Sequence, residues 1–274
     1  MIFPAFLLIC LAATGLYAIL APTLTFGAVL GVLALSYLAV NLLFALLFTV
    51  NALLLPKLAP GEGIRKQHAF SRWICIAVPQ WLGGYAGVRP KIGGLEKMPD
   101  GPFLFVCNHR SMFDPLLVMA WMPKYNISFI SKPSNLEIPI AGITARHAGF
   151  LAIDRENNRE ALKTILLAAD YLKRGVCNIG IYPEGTRSKT KEMLPFHAGS
   201  FKIAQRAGVP VVVACCRGSE QVKKGLFLRP TPVHLDILEV IDAERVKAMS
   251  TNELAEEARR VIQARLDEAE KNEG

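Results

Sequence analysis

A histidine and an aspartate five positions apart, His109 and Asp114, could act together as a base. They would not share one face of a regular helix, so the pairing requires His109 on a loop and Asp114 on the turn that follows. The carboxylate would then fix the tautomer of the imidazole and leave its other nitrogen as a general base for a substrate hydroxyl. A single H-x4-D pattern arises readily by chance, and a structural histidine is the alternative.

A second segment, Tyr182–Ser188, combines a carboxylate, a glycine and a cation. Pro183 cannot continue a central strand, so the chain is predicted to turn there. Gly185 lets the backbone approach a ligand, and Arg187 offers a two-pronged donor for phosphate. Glu184 could orient a hydroxyl or pair with Arg187, and a purely structural Glu–Arg pair is the alternative.

Other candidate groups are weaker. Arg155 follows a predicted strand and is either a second phosphate ligand or a surface charge. Cys107 next to His109 could be a nucleophile, but a cysteine at the end of a strand is more often buried core. No third ligand stands at a convincing spacing from the His109 and Asp114 pair, so a metal site is not expected.

The elements that must position these residues alternate between short apolar runs and amphipathic helices. This alternation predicts an α/β domain with a largely parallel central sheet. The sequence Ser-Thr-Asn-Glu from Ser250 to Glu253 predicts a capping box at the start of a C-terminal helix. The predicted strands are 103–107, 127–130, 152–154, 176–182, 209–215 and 233–241, and the predicted helices between them are 116–121, 159–174 and 199–207.

The N-terminus has a different character, because no charged residue or histidine precedes Lys57. Residues 1–20 and 27–55 are each as long as the roughly 20 apolar residues that cross a bilayer. They predict a membrane-anchoring hairpin of two helices, either spanning the bilayer or dipping into one leaflet. A cleaved signal peptide is disfavoured, since it requires positive charge before its apolar core.

All of the net charge of +8 therefore lies in residues 57–274. Basic residues close behind the apolar region place the following domain in the cytoplasm by the positive-inside rule. Such a surface would be drawn to anionic lipids or to a phosphate-bearing substrate, and no nucleic-acid-binding motif is visible. The predicted organisation is an anchor (1–56), an interfacial connector (57–100) and the α/β domain (101–274).

Taken together, the segments resemble the glycerolipid acyltransferase family, specifically the 1-acylglycerol-3-phosphate acyltransferases. That family carries N-H-x4-D, G-x5-R, F-P-E-G-T-R-S, F-x-x-G and V-P-[IV] blocks in this order. The order of the blocks is highly specific, whereas each block alone is not. The matching segments are Asn108–Asp114, Gly149–Arg155, Tyr182–Ser188, Phe196–Gly199 and Val209–Val211.

Two positions depart from the family pattern. Arg110 stands where glutamine is frequent, and Tyr182 replaces the phenylalanine before Pro-Glu-Gly. A cation beside the base could alter the headgroup that is accepted.

The resemblance implies a reaction. His109, supported by Asp114, would deprotonate the sn-2 hydroxyl of lysophosphatidate, which attacks the thioester of acyl-CoA or acyl-carrier protein. The implied partners are these two substrates and the membrane lipids, with no cofactor. The alternatives are another acceptor, such as a lyso-aminolipid or glycerol 3-phosphate, a membrane-anchored ester hydrolase, and a non-catalytic lipid-binding protein. The residues implied to hold the acceptor are Arg155, Glu184, Gly185, Thr186 and Arg187.

Overall fold

Seven strands form one sheet in the computed structural model, which describes residues 2–21, 25–59, 61–188, 192–222 and 230–273. Across the sheet the strands are ordered β1, β7, β6, β2, β5, β3 and β4, and only the pairing of β6 with β7 is antiparallel. The prediction of an α/β domain with a largely parallel sheet is confirmed. The strands are β1 Val88–Gly93, β2 Leu104–Cys107, β3 Ile127–Ser131, β4 Leu151–Ala152, β5 Asn178–Ile181, β6 Val211–Arg217 and β7 Thr231–Ile241.

Helices cover both faces of the sheet. One core cluster joins the sheet to α7, α8 and α10, and a second joins it to α4. The central strands are apolar on both faces for this reason, as is usual for parallel strands. The α-helices described are α1 Ile2–Leu20, α2 Phe26–Leu54, α3 Ala69–Tyr85, α4 Asp114–Trp121, α5 Pro133–Leu136, α6 Ala141–His147, α7 Asn158–Lys173, α8 Lys202–Ala207, α9 Ala243–Ala248 and α10 Thr251–Glu273.

One strand was not identified from the sequence. β1 lies within the segment assigned to the connector, and it pairs in parallel with β7 at the edge of the sheet. Its sequence, Val-Arg-Pro-Lys-Ile-Gly, contains two cations and a proline that conceal the apolar pattern. Pro90 is tolerated because an edge strand has one side that needs no hydrogen-bond donor.

The N-terminal helices α1 and α2 pack against each other as a hairpin, with the rings of Phe6 and Phe44 5.5 Å apart. Within the described residues, α2 is the one helix long and apolar enough to cross a membrane. The apolar stretch Pro4–Leu20 in α1 is shorter among the residues searched, and the anchor of two helices stays a prediction. Many leucines of both helices are exposed on the protein surface.

Two asparagines join α2 to α3. The Asn41 side-chain oxygen accepts a hydrogen bond from Trp81 Nε1 at 3.0 Å, and buried Asn51 donates to Ser71 Oγ at 3.2 Å. The C-terminal half of α2 therefore lies along α3, which in turn packs on α4 and α6 of the α/β domain. The hairpin is thus fixed to the domain through hydrogen bonds and not only through apolar contact.

The centre of the sheet positions the site. β2 lies between β5 and β6 and runs parallel to both, so the loops after these three strands meet at the carboxyl ends of the strands. The chain leaves β2 towards β3 on one side, and leaves β6 towards β7 on the other. Such a reversal opens a crevice at the carboxyl ends of the strands, where open α/β sheets bind their ligands.

Candidate active site

His109 and Asp114 meet at the carboxyl end of the central strand β2. His109 lies on the loop after β2, and Asp114 is the first residue of α4. Nδ1 of the imidazole is 2.8 Å from Oδ2 of the carboxylate, and the two side chains are 18% and 1% exposed. This is the loop-and-turn arrangement that the H-x4-D spacing requires. With Nδ1 directed at the carboxylate, Nε2 is the nitrogen left to accept a proton.

The Asp114 carboxylate is held on both oxygens. Oδ2 also accepts the backbone N–H groups of Arg110 and Ser111, each at 2.8 Å. Ser111 Oγ in turn accepts the N–H of Phe113 at 3.3 Å, so side-chain to backbone bonds steady the turn that precedes α4. Oδ1 accepts the thiol of Cys216 at 3.8 Å. The carboxylate is oriented by the protein itself, before any substrate arrives.

Asn108 fastens the histidine loop to the neighbouring strand. Its side chain is fully buried, donates to the carbonyl of Cys216 at 2.9 Å and accepts the N–H of Cys216 at 2.8 Å. These two bonds extend the pairing of β2 with β6 beyond the last ladder bond. Cys216 was not predicted as a site residue, and Asn108 entered the sequence analysis only as the first residue of the Asn108–Asp114 block.

Glu184 holds the same loop from the other side. Its Oε1 accepts the backbone N–H of His109 at 2.6 Å and its Oε2 accepts the N–H of Leu194 at 2.9 Å. Burial raises the pKa of this carboxyl, while the two N–H donors and the nearby His109 and Arg110 lower it. Both oxygens are engaged with main-chain amides, so the pairing with Arg187 considered from the sequence does not form.

A stack of aromatic rings lies beneath the imidazole. The rings of His109 and Tyr182 are 4.4 Å apart and inclined by 23°, and Phe129 stacks on the far side of Tyr182 at 5.4 Å. A tyrosine in place of the usual phenylalanine therefore keeps the flat apolar support.

Burial raises the pKa of the adjacent Cys107 thiol well above its usual range, which disfavours that thiol as a nucleophile.

The turn after β5 brings the predicted phosphate ligands to the same edge. Gly185 has a φ of +74°, and a Cβ built there would be 3.2 Å from Nη1 of Arg155. Arg155 is exposed as a residue, yet partial burial of its guanidinium group lowers its pKa. Thr186 and Arg187 are exposed on the same turn. The backbone N–H of Ser188 donates to the carbonyl of His109 at 3.0 Å, which joins this turn to the histidine loop.

The predicted residues thus form two groups. His109, Asp114 and Glu184 form one connected network, while Gly185, Thr186 and Arg187 lie beside it on the turn after β5. Arg155 approaches that turn from the segment after β4. No group of three or more histidine, cysteine, aspartate or glutamate side chains that could hold a metal occurs among the residues that the structure describes.

Comparison with known proteins gives one consistent family. Residues 89–217 match the model of the Acyltransferase family. A 1-acyl-sn-glycerol-3-phosphate acyltransferase from Saccharomyces cerevisiae is 29% identical over 204 residues, which cover 72% of this chain and 66% of that protein. One from Escherichia coli is 29% identical over 171 residues, covering 62% and 69%. A chloroplastic one from Brassica napus is 32% identical over 162 residues, covering 58% and 44%.

The fold also matches a solved structure. A 1-acyl-sn-glycerophosphate acyltransferase from Thermotoga maritima superposes with a TM-score of 0.60 at 24% identity, covering 83% of this chain and 89% of that one. This likeness shows the same fold. Against several of the relatives matched by sequence, the chain spans only about half to two thirds of their length.

Proposed function

Because this chain belongs to the Acyltransferase family, we propose that it transfers an acyl chain from a thioester to the sn-2 hydroxyl of 1-acylglycerol 3-phosphate, giving phosphatidate. The observation that carries the proposal is the 2.8 Å contact between His109 and Asp114, beside the turn after β5 on which Arg187 is exposed. Relatives named as 1-acyl-sn-glycerol-3-phosphate acyltransferases support the choice of acceptor.

The reaction uses His109 as a general base. Nε2 takes the proton of the sn-2 hydroxyl while the hydroxyl oxygen forms a bond to the thioester carbonyl carbon. Collapse of the tetrahedral intermediate breaks the carbon–sulfur bond, and the imidazolium returns the proton to the departing thiolate. Asp114 stabilises the imidazolium between these two steps without taking its proton. Since a thioester is already activated, these steps require neither a cofactor nor a covalent acyl-enzyme.

Glu184 acts in this scheme as a positioning residue. A carboxylate with both oxygens on main-chain amides is poorly placed to bind a phosphate, and its negative charge would repel one. Its bond to the N–H of His109 instead fixes the height of the imidazole above Tyr182. Asn108 does the same from the β6 side, so the base is held at both flanks of its loop.

Arg155, Gly185, Thr186 and Arg187 are assigned to the acceptor phosphate. An arginine guanidinium can donate two parallel hydrogen bonds to phosphate oxygens. A glycine with a positive φ allows the backbone to approach the phosphate closely. The donor carrier is assigned as CoA or acyl-carrier protein, since either supplies the thioester on which the step depends.

The chain is proposed to work at the cytoplasmic face of a membrane, where both the lysolipid and the product reside. Asn41 and Asn51 hold the second half of α2 against α3, which leaves residues 26–40, or about 22 Å of helix, to enter lipid. A full crossing needs about 30 Å, so the hairpin is proposed to dip into one leaflet. Ala21→Cys should then resist an impermeant maleimide applied to the far side of sealed vesicles; labelling from that side would show a crossing.

The function is tested by acyl transfer from labelled acyl-CoA to lysophosphatidate in detergent micelles. Wild-type protein should form phosphatidate, and His109→Ala should lose about 10²- to 10⁴-fold in rate, the usual contribution of a general base. Acyl-carrier protein is substituted for CoA in a parallel series to identify the donor. A His109→Ala variant that is folded and retains the wild-type rate would exclude the mechanism.

A panel of acceptors separates the remaining candidates. Arg110, the cation next to the base, is the specific reason to include a lyso-aminolipid and glycerol 3-phosphate in the panel. Transfer to one of these but not to lysophosphatidate would keep the chemistry and change the acceptor. Release of free acid without any acceptor would indicate a hydrolase.

A further inference from the structure

The face of the Tyr182 ring lies against the base of the site. The centroids of the Tyr182 and His109 rings are 4.4 Å apart, and the ring planes are inclined by 23°. A cation within about 6 Å of the centroid of an aromatic ring is attracted to the negative charge on the face of that ring. The proposed reaction makes His109 such a cation, because Nε2 takes the proton of the acceptor hydroxyl.

The surrounding residues hold the Tyr182 ring in this place. Phe129 stacks on its other face, with the ring centroids 5.4 Å apart and the planes inclined by 11°. The ring of Phe150 in turn lies 6.4 Å from that of Phe129. The carbonyl of Tyr182 accepts the backbone N–H of Gly185 at 3.0 Å, which holds the main chain at the start of the turn. The Tyr182 ring therefore cannot tilt away from the imidazole without displacing Phe129.

The hydroxyl of Tyr182 does not explain why the ring is placed here. It is buried and makes no hydrogen bond to any of the residues that the structure describes. Burial raises the pKa of Tyr182 well above its usual range, and the nearby carboxylate of Asp114 raises it further. The hydroxyl therefore stays protonated, and the ring remains a neutral aromatic with an electron-rich face. The ring itself is the part of Tyr182 that acts on His109.

An imidazolium at this position has little water to stabilise it. The side chain of His109 is 18% exposed, and that of Asp114, 2.8 Å from Nδ1, is 1% exposed. Asp114 contacts the imidazole at its edge, whereas the Tyr182 ring covers one of its faces. The attraction between a cation and an aromatic face is stronger where water is excluded, because the local dielectric constant is low.

We propose that Tyr182 is a positioning residue whose ring face also stabilises the imidazolium of His109 by a cation–π interaction, and thereby accelerates acyl transfer. The inference rests on the proposed function, because that reaction is what places a positive charge on His109. The ring attracts the charged imidazole more strongly than the neutral one, so it stabilises the transition state more than the bound substrates. Its contribution should appear in the rate of transfer and not in the KM for the acceptor.

The test changes the electron density of the ring and keeps its size. Tyr182→Phe is the reference, and mono-, di- and trifluorophenylalanine are introduced at the same position of the full-length protein. Each fluorine withdraws electron density from the face of the ring and adds little volume. Transfer from labelled acyl-CoA to lysophosphatidate in micelles is followed in a single turnover, so that product release does not mask the chemical step.

The rate constant of transfer should fall with each added fluorine, by about 3- to 30-fold from the reference to the trifluoro form. The KM for lysophosphatidate should stay the same across the series. The matched control is Phe105, which is fully buried in the same core cluster and packs edge-on against Phe129. The same fluorinated residues at Phe105 should leave the rate of transfer unchanged. Equal rates across the Tyr182 series, or an equal decline at both positions, would overturn the proposal.

The outcomes separate this inference from the proposed reaction. Phosphatidate formed at rates that do not respond to fluorine overturns the role of Tyr182 alone. If the wild type acylates a different acceptor of the panel, or releases free acid, the series is measured on that reaction. A decline there overturns the proposed acceptor and keeps the role of Tyr182. Equal rates there, or no turnover of any of these substrates, overturn both.

Discussion

The site has two halves that are built differently. The base half consists of His109, Asp114 and the groups that hold them, and its Asn108, Asp114 and Glu184 side chains are almost fully buried. The second half is the proposed headgroup half, in which Arg155, Thr186 and Arg187 are all exposed. A base must already be oriented when the substrate arrives, because reorganisation during the reaction raises the barrier. Groups that recognise a charged headgroup must instead be reachable from solvent.

The difference divides the expected consequences of substitution. Changes in the base half remove interactions needed to reach the transition state, so they should lower kcat. Changes in the headgroup half remove binding that is similar in the ground and transition states, so they should raise KM and spare kcat. The division fails if the two halves respond alike.

The largest effect is expected at Asp114. Both Asp114→Ala and Asp114→Asn should lower kcat by about 10³-fold, because neither can stabilise an imidazolium. The two variants should differ in stability: asparagine can still accept the N–H groups of Arg110 and Ser111, whereas alanine loses these hydrogen bonds and about 1 kcal/mol. Steady-state kinetics and thermal melting in micelles measure the two effects, and near wild-type kcat in the folded asparagine variant would contradict the role of Asp114.

Glu184 lies in the Tyr182–Ser188 segment but contacts the loop of His109. Its substitution tests whether this carboxylate belongs to the base half. Glu184→Gln keeps the size of the side chain but accepts only one of the two backbone N–H groups. We expect kcat to fall by about 10- to 100-fold with little change in the KM for lysophosphatidate. A raised KM with unchanged kcat would assign Glu184 to the acceptor after all.

Arg187 should show the opposite pattern. Arg187→Ala removes a charge-assisted fork from the exposed turn, so the KM for the acceptor should rise by about 10-fold while kcat changes less than about twofold. Arg187→Lys keeps the charge but not the paired donors, so its KM for the acceptor should lie between those of the wild type and Arg187→Ala. Should kcat collapse in Arg187→Ala, the residue would act on the reacting atoms and not only on the headgroup.

The smallest effect is expected at Cys216, which contacts the oxygen of Asp114 that does not face His109. Cys216→Ala removes the thiol that donates to Oδ1 of Asp114 and should lower kcat by about two- to fivefold, since a thiol is a weak donor. Cys216→Ser restores a donor and should recover the loss at unchanged KM. Equal losses in both variants, accompanied by a lower melting temperature, would indicate packing and not orientation.

Much of the local structure was predictable. The C-terminal helix begins at the predicted capping box: the N–H of Ser250 donates to Glu253 at 2.7 Å, and the N–H of Glu253 donates to Ser250 Oγ at 3.2 Å. The central strands were visible as apolar runs, with bounds that differ by a few residues. β1 was missed, because an edge strand needs little apolar sequence to keep its place.

The sequence alone determined the residue types of the site and their local elements. Apolar runs specify strands, caps and glycines bound helices, and the pair His109 and Asp114 is close enough along the chain to meet within one turn. Only the tertiary structure decided the partners of Glu184 and Asn108, which lie 75 and 108 positions from the residues they contact. Those contacts exist because β2 is inserted between β5 and β6. Backbone hydrogen bonds between strands do not depend on which side chains the strands carry, so no local sequence pattern predicts the order of the strands.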